Sequence, residues 1–263
     1  RVRGRTIKIA AIGDLHASRA PRGEVLDLFA RANQEADVLV LCGDLTDQGR
    51  PEELQVLVEE MAGVEIPIVA VFGNHDHEAG RVDELAVMLR DRGVHILDGE
   101  NTVIDDIGFV GIKGFGGGFG RYTIGGFGEA SLKAFVEETF EQSIRLETAL
   151  RTLEAEIRVV VMHHAPIPET LKGESEQLYP FLGSSRFLQP IETYGADVVF
   201  HGHSHFGSPE GATPSGIPVY NVARPVLQRA GEPFRLWTTT APDRRAATSG
   251  NRPRDSEEHT DRR

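Results

Sequence analysis

The chain has 263 residues, of which 40% are hydrophobic, and a formal net charge of -12. This length allows one large α/β domain or two small ones with a sizeable core. The negative charge argues against an extensive nucleic-acid surface, because non-specific nucleic-acid binding depends on Lys and Arg side chains that neutralise phosphates. The single cysteine, Cys42, excludes a disulfide framework and favours a reducing, cytoplasmic location.

Predicted strands and helices alternate through the first 92 residues. Apolar runs predict strands, and amphipathic periodicity with a Pro near one helix start predicts helices. Nearly continuous apolar strands separated by such helices indicate a parallel sheet covered on both faces. The predicted strands are residues 7–12, 38–42 and 66–72, and the predicted helices are residues 23–36, 51–62 and 82–92.

The second part of the chain predicts a mixture of short strands and one long helix. We expect a single domain over residues 1–240 and a disordered polar tail over 241–263, since the tail is almost without apolar residues. We expect no signal peptide and no membrane anchor, because the N-terminal apolar run is far shorter than the roughly 18 residues of a spanning segment. The predicted strands are residues 94–97, 102–104, 109–112, 158–162, 197–200, 217–222 and 234–239, and the long helix is 129–156.

Five polar clusters each follow an apolar run. Each cluster alone is typical of a turn. The carboxyl ends of parallel strands meet at one edge of a sheet, however, so five such clusters predict a metal centre there. Carboxylate, imidazole and carboxamide ligands without thiolate suit Mn, Fe, Zn or Co. The clusters are Asp14-Leu15-His16, Gly43-Asp44-Leu45-Thr46-Asp47, Gly73-Asn74-His75-Asp76, His163-His164 and Gly202-His203-Ser204-His205.

Spacing within the clusters suggests which side chains meet. Asp14 and His16 are two residues apart, as are His203 and His205, so in an extended backbone each pair would face the same way. Four glycines that precede or open the clusters suggest sharp turns and close packing of the backbone. These are Gly13, Gly43, Gly73 and Gly202.

In order, the motifs D-x-H, G-D-x-x-D, G-N-H-D, H-H and G-H-x-H resemble those of the calcineurin-like metallophosphoesterases over roughly residues 6 to 225. The resemblance implies an α/β fold, a four-layer αββα sandwich with two mixed β-sheets flanked by helices. It also implies two divalent metal ions, and a hydroxide held between such ions can attack the phosphorus of a phosphate ester in line. The implied partner is a small phosphate-ester substrate, without a membrane.

The same resemblance implies roles for individual residues. His75 would stabilise the phosphoryl oxygens or protonate the leaving group, and Asp76 would orient it. His163 is expected to bind metal rather than His164, because of its H-x-x-P spacing to Pro166. A contribution from His164 or His201 stays open. The implied ligands are Asp14, His16, Asp44 and His205 for one ion, and Asp44, Asn74, His163 and His203 for the other, with Asp44 as the bridge.

The substrate class is suggested by two departures from the protein Ser/Thr phosphatases of this superfamily. Those enzymes carry Asp-Arg-Gly where this chain has Asp47-Gln48-Gly49, and Asn-His-Glu is common there in place of Asn-His-Asp. Both favour a bacterial-type phosphodiesterase acting on a cyclic nucleotide or another small phosphodiester. The alternatives are a phosphomonoesterase or protein phosphatase, a metal-dependent nuclease, and a non-catalytic binding scaffold. The glycine-rich loop 114–128 could be a lid or an exposed connection, with Phe119, Arg121 and Tyr122 near the substrate.

Overall fold

The computed structural model describes residues 4–20 and 23–242. In chain order, the elements are β1 (Gly4–Ile12), α1 (Gly23–Glu35), β2 (Val38–Cys42), α2 (Pro51–Glu60), β3 (Ile68–Val71), α3 (Val82–Asp91), β4 (His95–Ile96), β5 (Glu100–Ile104), β6 (Ile107–Ile112), α4 (Ala130–Thr152), β7 (Ile157–Met162), α5 (Tyr179–Leu182), α6 (Leu188–Tyr194), β8 (Val198–His201), β9 (Glu210–Ala212), β10 (Pro218–Asn221), α7 (Arg224–Ala230) and β11 (Arg235–Pro242).

The strands form two mixed β-sheets. The first has the order β11-β1-β2-β3-β4, in which β1 to β4 are parallel and β11 runs antiparallel to β1. The second has the order β5-β6-β7-β8-β10-β9, with the four central strands parallel and an antiparallel strand at each edge. The central strands are buried on both faces, which explains why their sequences are almost continuously apolar.

The four predicted layers are confirmed by the way that the sheets pack. Strand β7 shows the arrangement, because successive side chains in a strand point to opposite faces. Val159 and Val161 join the core shared with the first sheet and helices α1 to α3. Val160 and Met162 instead join a core that includes Leu150 of α4 and residues of α6. The layers are therefore helices, first sheet, second sheet and helices.

The observed elements agree with the predicted ones in type, and differ mainly at their ends and in the segment 168–230. Helix α4 ends at Thr152 rather than residue 156, because the buried Leu153 adopts an extended backbone and turns the chain toward β7. Helix α7 was not predicted, although Pro225 in its first turn and Gly231 in a left-handed conformation after it are typical helix boundaries. Helices α5 and α6 and strand β9 were also missed.

Strand β11 runs to Pro242, two residues beyond the predicted end of the domain, because Ala241 and Pro242 pair with the start of β1. The rest of the predicted tail, 243–263, lies outside the described residues. Among residues 4–20 and 23–242, no helix combines the length and apolarity that a membrane crossing requires.

Candidate metal centre

The five polar clusters lie together where parallel strands of both sheets end. The loops after β1 and β2 continue the strand pairing, since Asp14 N–H donates to the Gly43 carbonyl and His16 N–H to the Asp44 carbonyl, each at 2.9 Å. The second sheet joins them through Gly202, whose N–H donates to the His163 carbonyl at 3.1 Å. The predicted convergence of distant residues is thus observed.

The first group of possible metal-ligand atoms includes His16. The ligand atoms of Asp14, His16 and His205 lie within 4.8 Å of one another. His205 Nε2 is 2.9 Å from Asp14 Oδ1. His16 Nε2 is buried and has no hydrogen-bond partner among the described residues, yet it faces the carboxylates of Asp14 at 4.0 Å and Asp44 at 3.8 Å. A buried lone nitrogen between two carboxylates fits a cation.

A second group contains Asp44, His163 and His203, whose ligand atoms also lie within 4.8 Å of one another. Nε2 of His163 is 3.4 Å from Asp44 Oδ2 and 3.0 Å from Oδ1 of Asn74. Its Nδ1–H donates to the Cys42 carbonyl at 2.9 Å, which leaves Nε2 for the centre. His203 Nε2–H donates to the Phe181 carbonyl at 3.2 Å. Such outer acceptors are typical of metal-binding histidines, because they fix the tautomer and orientation of the ring.

Asp44 belongs to the second group and also to a third, with His16 and His75, so it links the two groups. One of its oxygens, Oδ2, lies 3.8 Å from His16 Nε2 and 3.4 Å from His163 Nε2. The other, Oδ1, accepts the His75 N–H at 2.8 Å, which fixes the orientation of the carboxylate. One buried carboxylate therefore faces two sets of nitrogen and oxygen atoms that could bind metal.

The backbone at the site differs from the extended conformation that spacing suggested. Asp14, His16, Asp44 and His203 have φ values of 58°, 46°, 48° and 68°. This left-handed region costs non-glycine residues energy, and such strain is concentrated at functional sites because the surrounding structure maintains it there. The paired residues do meet at the centre, but the strained turns position them rather than strand alternation.

Two glycines allow the loops to approach as closely as the sequence suggested. A Cβ atom on Gly73 would collide with the Asp44 carboxylate, and one on Gly202 would collide with the Asp14 carboxylate. A Cβ at Gly202 would also lie 2.8 Å from the Cys42 carbonyl oxygen. These positions require glycine because the two carboxylates occupy the space that a side chain would fill.

The buried charges perturb the pKa values of the site. Burial alone would raise the pKa of Asp44, but His163 and the His75 N–H hold it below its usual range. Burial opposes the charged form of His163, yet Asp44 raises its pKa to about 9. Burial and the nearby His163 lower the pKa of His203 to about 4. The charge of each of these side chains therefore affects the pKa values of the others, as is typical of functional sites.

His75 and Asp76 have different surroundings from those predicted. The His75 ring is half-buried, and its Nδ1–H donates to the Asp47 carbonyl at 2.7 Å. The ring also meets the His16 ring edge-on, with centroids 4.5 Å apart. Asp76 is fully buried, and its carboxylate accepts from Leu45 N–H, Thr46 N–H, the Thr46 hydroxyl and Gly73 N–H.

The hydrogen bond from the His75 ring goes to the Asp47 carbonyl and not to the Asp76 carboxylate, so the orienting role of Asp76 would act through the loops and stays a prediction. Asp76 instead ties the loop after β2 to the loop after β3. Burial, followed by the negative charge of Asp44, raises the pKa of Asp76 to about 6. No sequence motif marks the Asp47, Cys42 and Phe181 carbonyls as acceptors, since every residue carries one.

The two open histidines take different positions. Both ring nitrogens of His201 have partners of their own, the Gly202 carbonyl and the Thr170 hydroxyl, each at 2.8 Å. His201 therefore supports the fold and does not face the centre. His164 is buried with its ring 4.4 Å from the His203 ring and 5.2 Å from the His163 ring, and Nδ1 lies 3.3 Å from the Lys113 carbonyl. His164 therefore packs against the rings of His163 and His203.

A polar cavity of about 540 Å³ opens beside the centre. Asp47, Asn74 and His75 line it together with Arg50 and Glu78. Arg50 was not predicted as a site residue, since it lies one position beyond the Asp47-Gln48-Gly49 run that suggested the loss of a phosphate-binding arginine. The cavity gives a small polar molecule access to His75.

Comparison with known proteins identifies the family. The profile described as calcineurin-like phosphoesterase matches residues 7–207, which include all five polar clusters. The chain belongs to the calcineurin-like phosphoesterase family. It is accordingly a hydrolase that acts on phosphate esters, in a metal-dependent family, and the donor set described above could hold metal ions.

Two curated relatives of this phosphoesterase have related names. A glycerophosphodiester phosphodiesterase of Enterobacter lignolyticus is 24% identical over 216 residues, covering 77% of this chain and 67% of the relative. A protein of Rhodococcus erythropolis named "probable cyclic nucleotide phosphodiesterase" is 26% identical over 204 residues, covering 74% of this chain and 60% of the relative. The chain thus spans about two thirds of the first relative and less of the second.

Solved structures share the fold of the phosphoesterase at low sequence identity. The phosphopantetheinyl hydrolase of Mycobacterium tuberculosis aligns with a TM-score of 0.64 at 15% identity, covering 88% of this chain and 95% of that one. The protein TT1561 of Thermus thermophilus aligns with a TM-score of 0.53 at 16% identity, covering 90% and 99%. These likenesses concern the fold alone.

Proposed function

We propose that this protein is a dinuclear metal-dependent phosphodiesterase that hydrolyses a cyclic nucleotide or another small phosphodiester. The observation that carries the proposal is the Asp44 carboxylate, which faces His16 on one side and His163 on the other. The two relatives whose names describe phosphodiesterases support a diester over a monoester substrate. The net charge of -12 disfavours a nuclease.

The ligand assignment follows the two groups of donor atoms. The buried, unpartnered Nε2 of His16 and the outward-tethered His163 and His203 rings fit cations of the Mn, Fe, Zn or Co type. Bound there, two cations would polarise the phosphoryl oxygens and activate water for attack on phosphorus. One ion would be held by Asp14, His16, Asp44 and His205, and the other by Asp44, Asn74, His163 and His203.

His75 is the proposed catalytic residue. The Asp47 carbonyl holds its Nδ1, so Nε2 remains for a substrate oxygen in the cavity. There it would hold a phosphoryl oxygen or supply a proton to the departing alkoxide. His75 also belongs to a third group of close ligand atoms, with His16 and Asp44, so the effect of its removal on metal content tests the assignment directly.

The proposal is tested by metal reconstitution. Purified protein is treated with a chelator, dialysed, and reloaded with Mn, Co, Zn or Fe. We expect hydrolysis of bis-p-nitrophenyl phosphate only after reloading, at a higher kcat/KM than that for p-nitrophenyl phosphate. An absence of turnover with all four metals would contradict the proposed function, and a preference for the monoester would contradict the assignment as a diesterase.

A further inference from the structure

An apolar pocket of about 660 Å³ lies between the glycine-rich loop and the segment around α5. Phe119 and Tyr122 of the loop form one wall, and Tyr179 and Pro180 of α5 form the other. The volume is in the range of small-molecule binding sites, which are mostly apolar with a few polar groups at the edge. Arg121 and Glu176 provide such groups here.

The pocket and the candidate metal centre both have α5 as a neighbour. Tyr179 and Pro180 line the pocket, and the carbonyl of the next residue, Phe181, accepts the Nε2–H of His203 at 3.2 Å. Consecutive Cα atoms are only about 3.8 Å apart, so one short helix borders both sites. The Phe181 ring itself is 60% exposed at this boundary. The pocket and the metal centre are therefore neighbours along α5.

The walls of the pocket are already in place, because the glycine-rich loop is tied to α5 and the residues after it. Gly117 N–H donates to the Pro180 carbonyl at 2.6 Å, and Gly118 N–H donates to the Gly183 carbonyl at 2.9 Å. The Phe119 ring is buried edge-on against Tyr179, with centroids 6.3 Å apart. A pocket formed in advance costs a ligand little ordering on binding.

We propose that this pocket binds an apolar arm of the substrate's esterified alcohol while the phosphate group lies at the metal centre. The inference rests on the proposed function, because the metal centre fixes the position of the phosphate. Tyr122 is 70% exposed, and exposed apolar surface in a pocket is typical of binding sites. Since the cavity beside His75 is polar, the pair of pockets favours, among small phosphodiesters, an acyclic one with one apolar and one polar arm.

The test uses n-alkylphosphonates from methyl to hexyl, which carry a phosphate-like head and a single arm. Their dissociation constants for the metal-loaded protein are measured by calorimetry and by inhibition of bis-p-nitrophenyl phosphate hydrolysis. Each methylene that enters the pocket is expected to tighten binding about three- to fourfold, the value for a buried CH₂ group. The gain should end when the pocket is filled.

Two variants locate the effect. Tyr122→Ala and Tyr179→Ala should each reduce the gain per methylene, and metal content and thermal unfolding report whether each variant is folded. The control is Ile144→Ala, an exposed position on α4 that does not line the pocket, and it should retain the full gain.

Equal affinity for methyl- and hexylphosphonate, or the same gain in both tyrosine variants as in the wild type, would overturn the proposed pocket and leave the phosphodiesterase intact. Failure of methylphosphonate to bind, together with an absence of metal-dependent turnover, would instead overturn the proposed function.

Discussion

At the scale of single residues, Asp44 joins the two halves of the centre. Its carboxylate is buried and lies within 3.8 Å of His16 Nε2 and 3.4 Å of His163 Nε2. No other described side chain belongs both to the group around His163 and to a group containing His16. A change at Asp44 should therefore affect both metal ions at once.

We expect Asp44→Asn to lose most of its bound metal and nearly all activity, because a neutral amide replaces the shared negative charge. The loss of metal affinity should exceed the about 10- to 100-fold that removal of an outer hydrogen-bond partner costs. Elemental analysis and turnover of bis-p-nitrophenyl phosphate measure both effects. The matched control is Asp27→Asn on the exposed face of α1, and full metal occupancy in Asp44→Asn would refute the bridging role.

His75 allows a sharper distinction between a catalytic residue and a ligand. If it acts on substrate, His75→Ala should keep both metals and lose about 10²- to 10⁴-fold in kcat. The loss should be greatest for esters with poor leaving groups, which most need a proton. His77→Ala is the matched control, since His77 is exposed two positions away with its ring against Phe72. Release of metal from His75→Ala would assign His75 to the ligands instead.

At the scale of elements, the site depends on the hydrogen bonds and packing that hold the loops after different strands together. Asp76 connects the loops after β2 and β3, since its carboxylate accepts three hydrogen bonds from Leu45 and Thr46 and a fourth from Gly73 in its own loop. An unsatisfied buried donor costs about 1–3 kcal/mol. We therefore expect Asp76 to position Asp44 and His75.

Asp76→Ala should lower the free energy of unfolding by at least about 3 kcal/mol, because it leaves several buried donors without an acceptor. It should also reduce metal content, which a purely catalytic role would not affect. Urea unfolding and elemental analysis measure these quantities. Thr46→Val removes one of the four donors together with the acceptor of the Gly49 N–H, and should cost only about 1–2 kcal/mol. A stable, metal-loaded Asp76→Ala protein with reduced kcat would instead support a catalytic role for Asp76.

The loop after β8 also packs closely against the residues that follow β1. Gly202→Ala would place a methyl group against the Asp14 carboxylate and the Cys42 carbonyl oxygen. We expect a loss of about 1–3 kcal/mol in the free energy of unfolding, as for overpacking elsewhere, together with weaker metal binding. Gly63→Ala is the control, because its Cβ would meet nothing within 4 Å. Equal stability and equal metal content in the two variants would show that the backbone shifts without cost.

At the scale of the whole molecule, the centre joins the two sheets, since its proposed ligands follow strands of both. Metal binding should therefore stabilise the folded chain as a whole. Saturation at about 100 times the dissociation constant adds about 2.7 kcal/mol, which for a domain of this size corresponds to an increase in Tm of about 5–10 °C. Thermal unfolding with and without a chelator measures the shift. Asp44→Asn should show little shift, whereas an unchanged wild-type Tm would contradict a structural role for the metals.

The sequence alone was sufficient for the alternation of strands and helices in the first half and for the convergence of the clusters. Each of these depends on local signals: apolar strands such as Val38–Cys42, helix boundaries near Pro51, and polar residues at strand ends. Parallel strands then have only a few ways to pack, so their ends must meet. The polar clusters could be predicted to lie together without knowing any distance.

Other features depend on contacts between distant parts of the chain, and only the tertiary structure decided them. The left-handed backbone of Asp14 and Asp44 persists because neighbouring loops hold it. The Asp76 carboxylate accepts from donors on another loop, the Asp47 carbonyl accepts from the His75 ring, and the Phe181 carbonyl of α5 accepts from His203. Backbone acceptors and cavities have no recognisable sequence pattern, because they form where segments distant in the sequence come together in space.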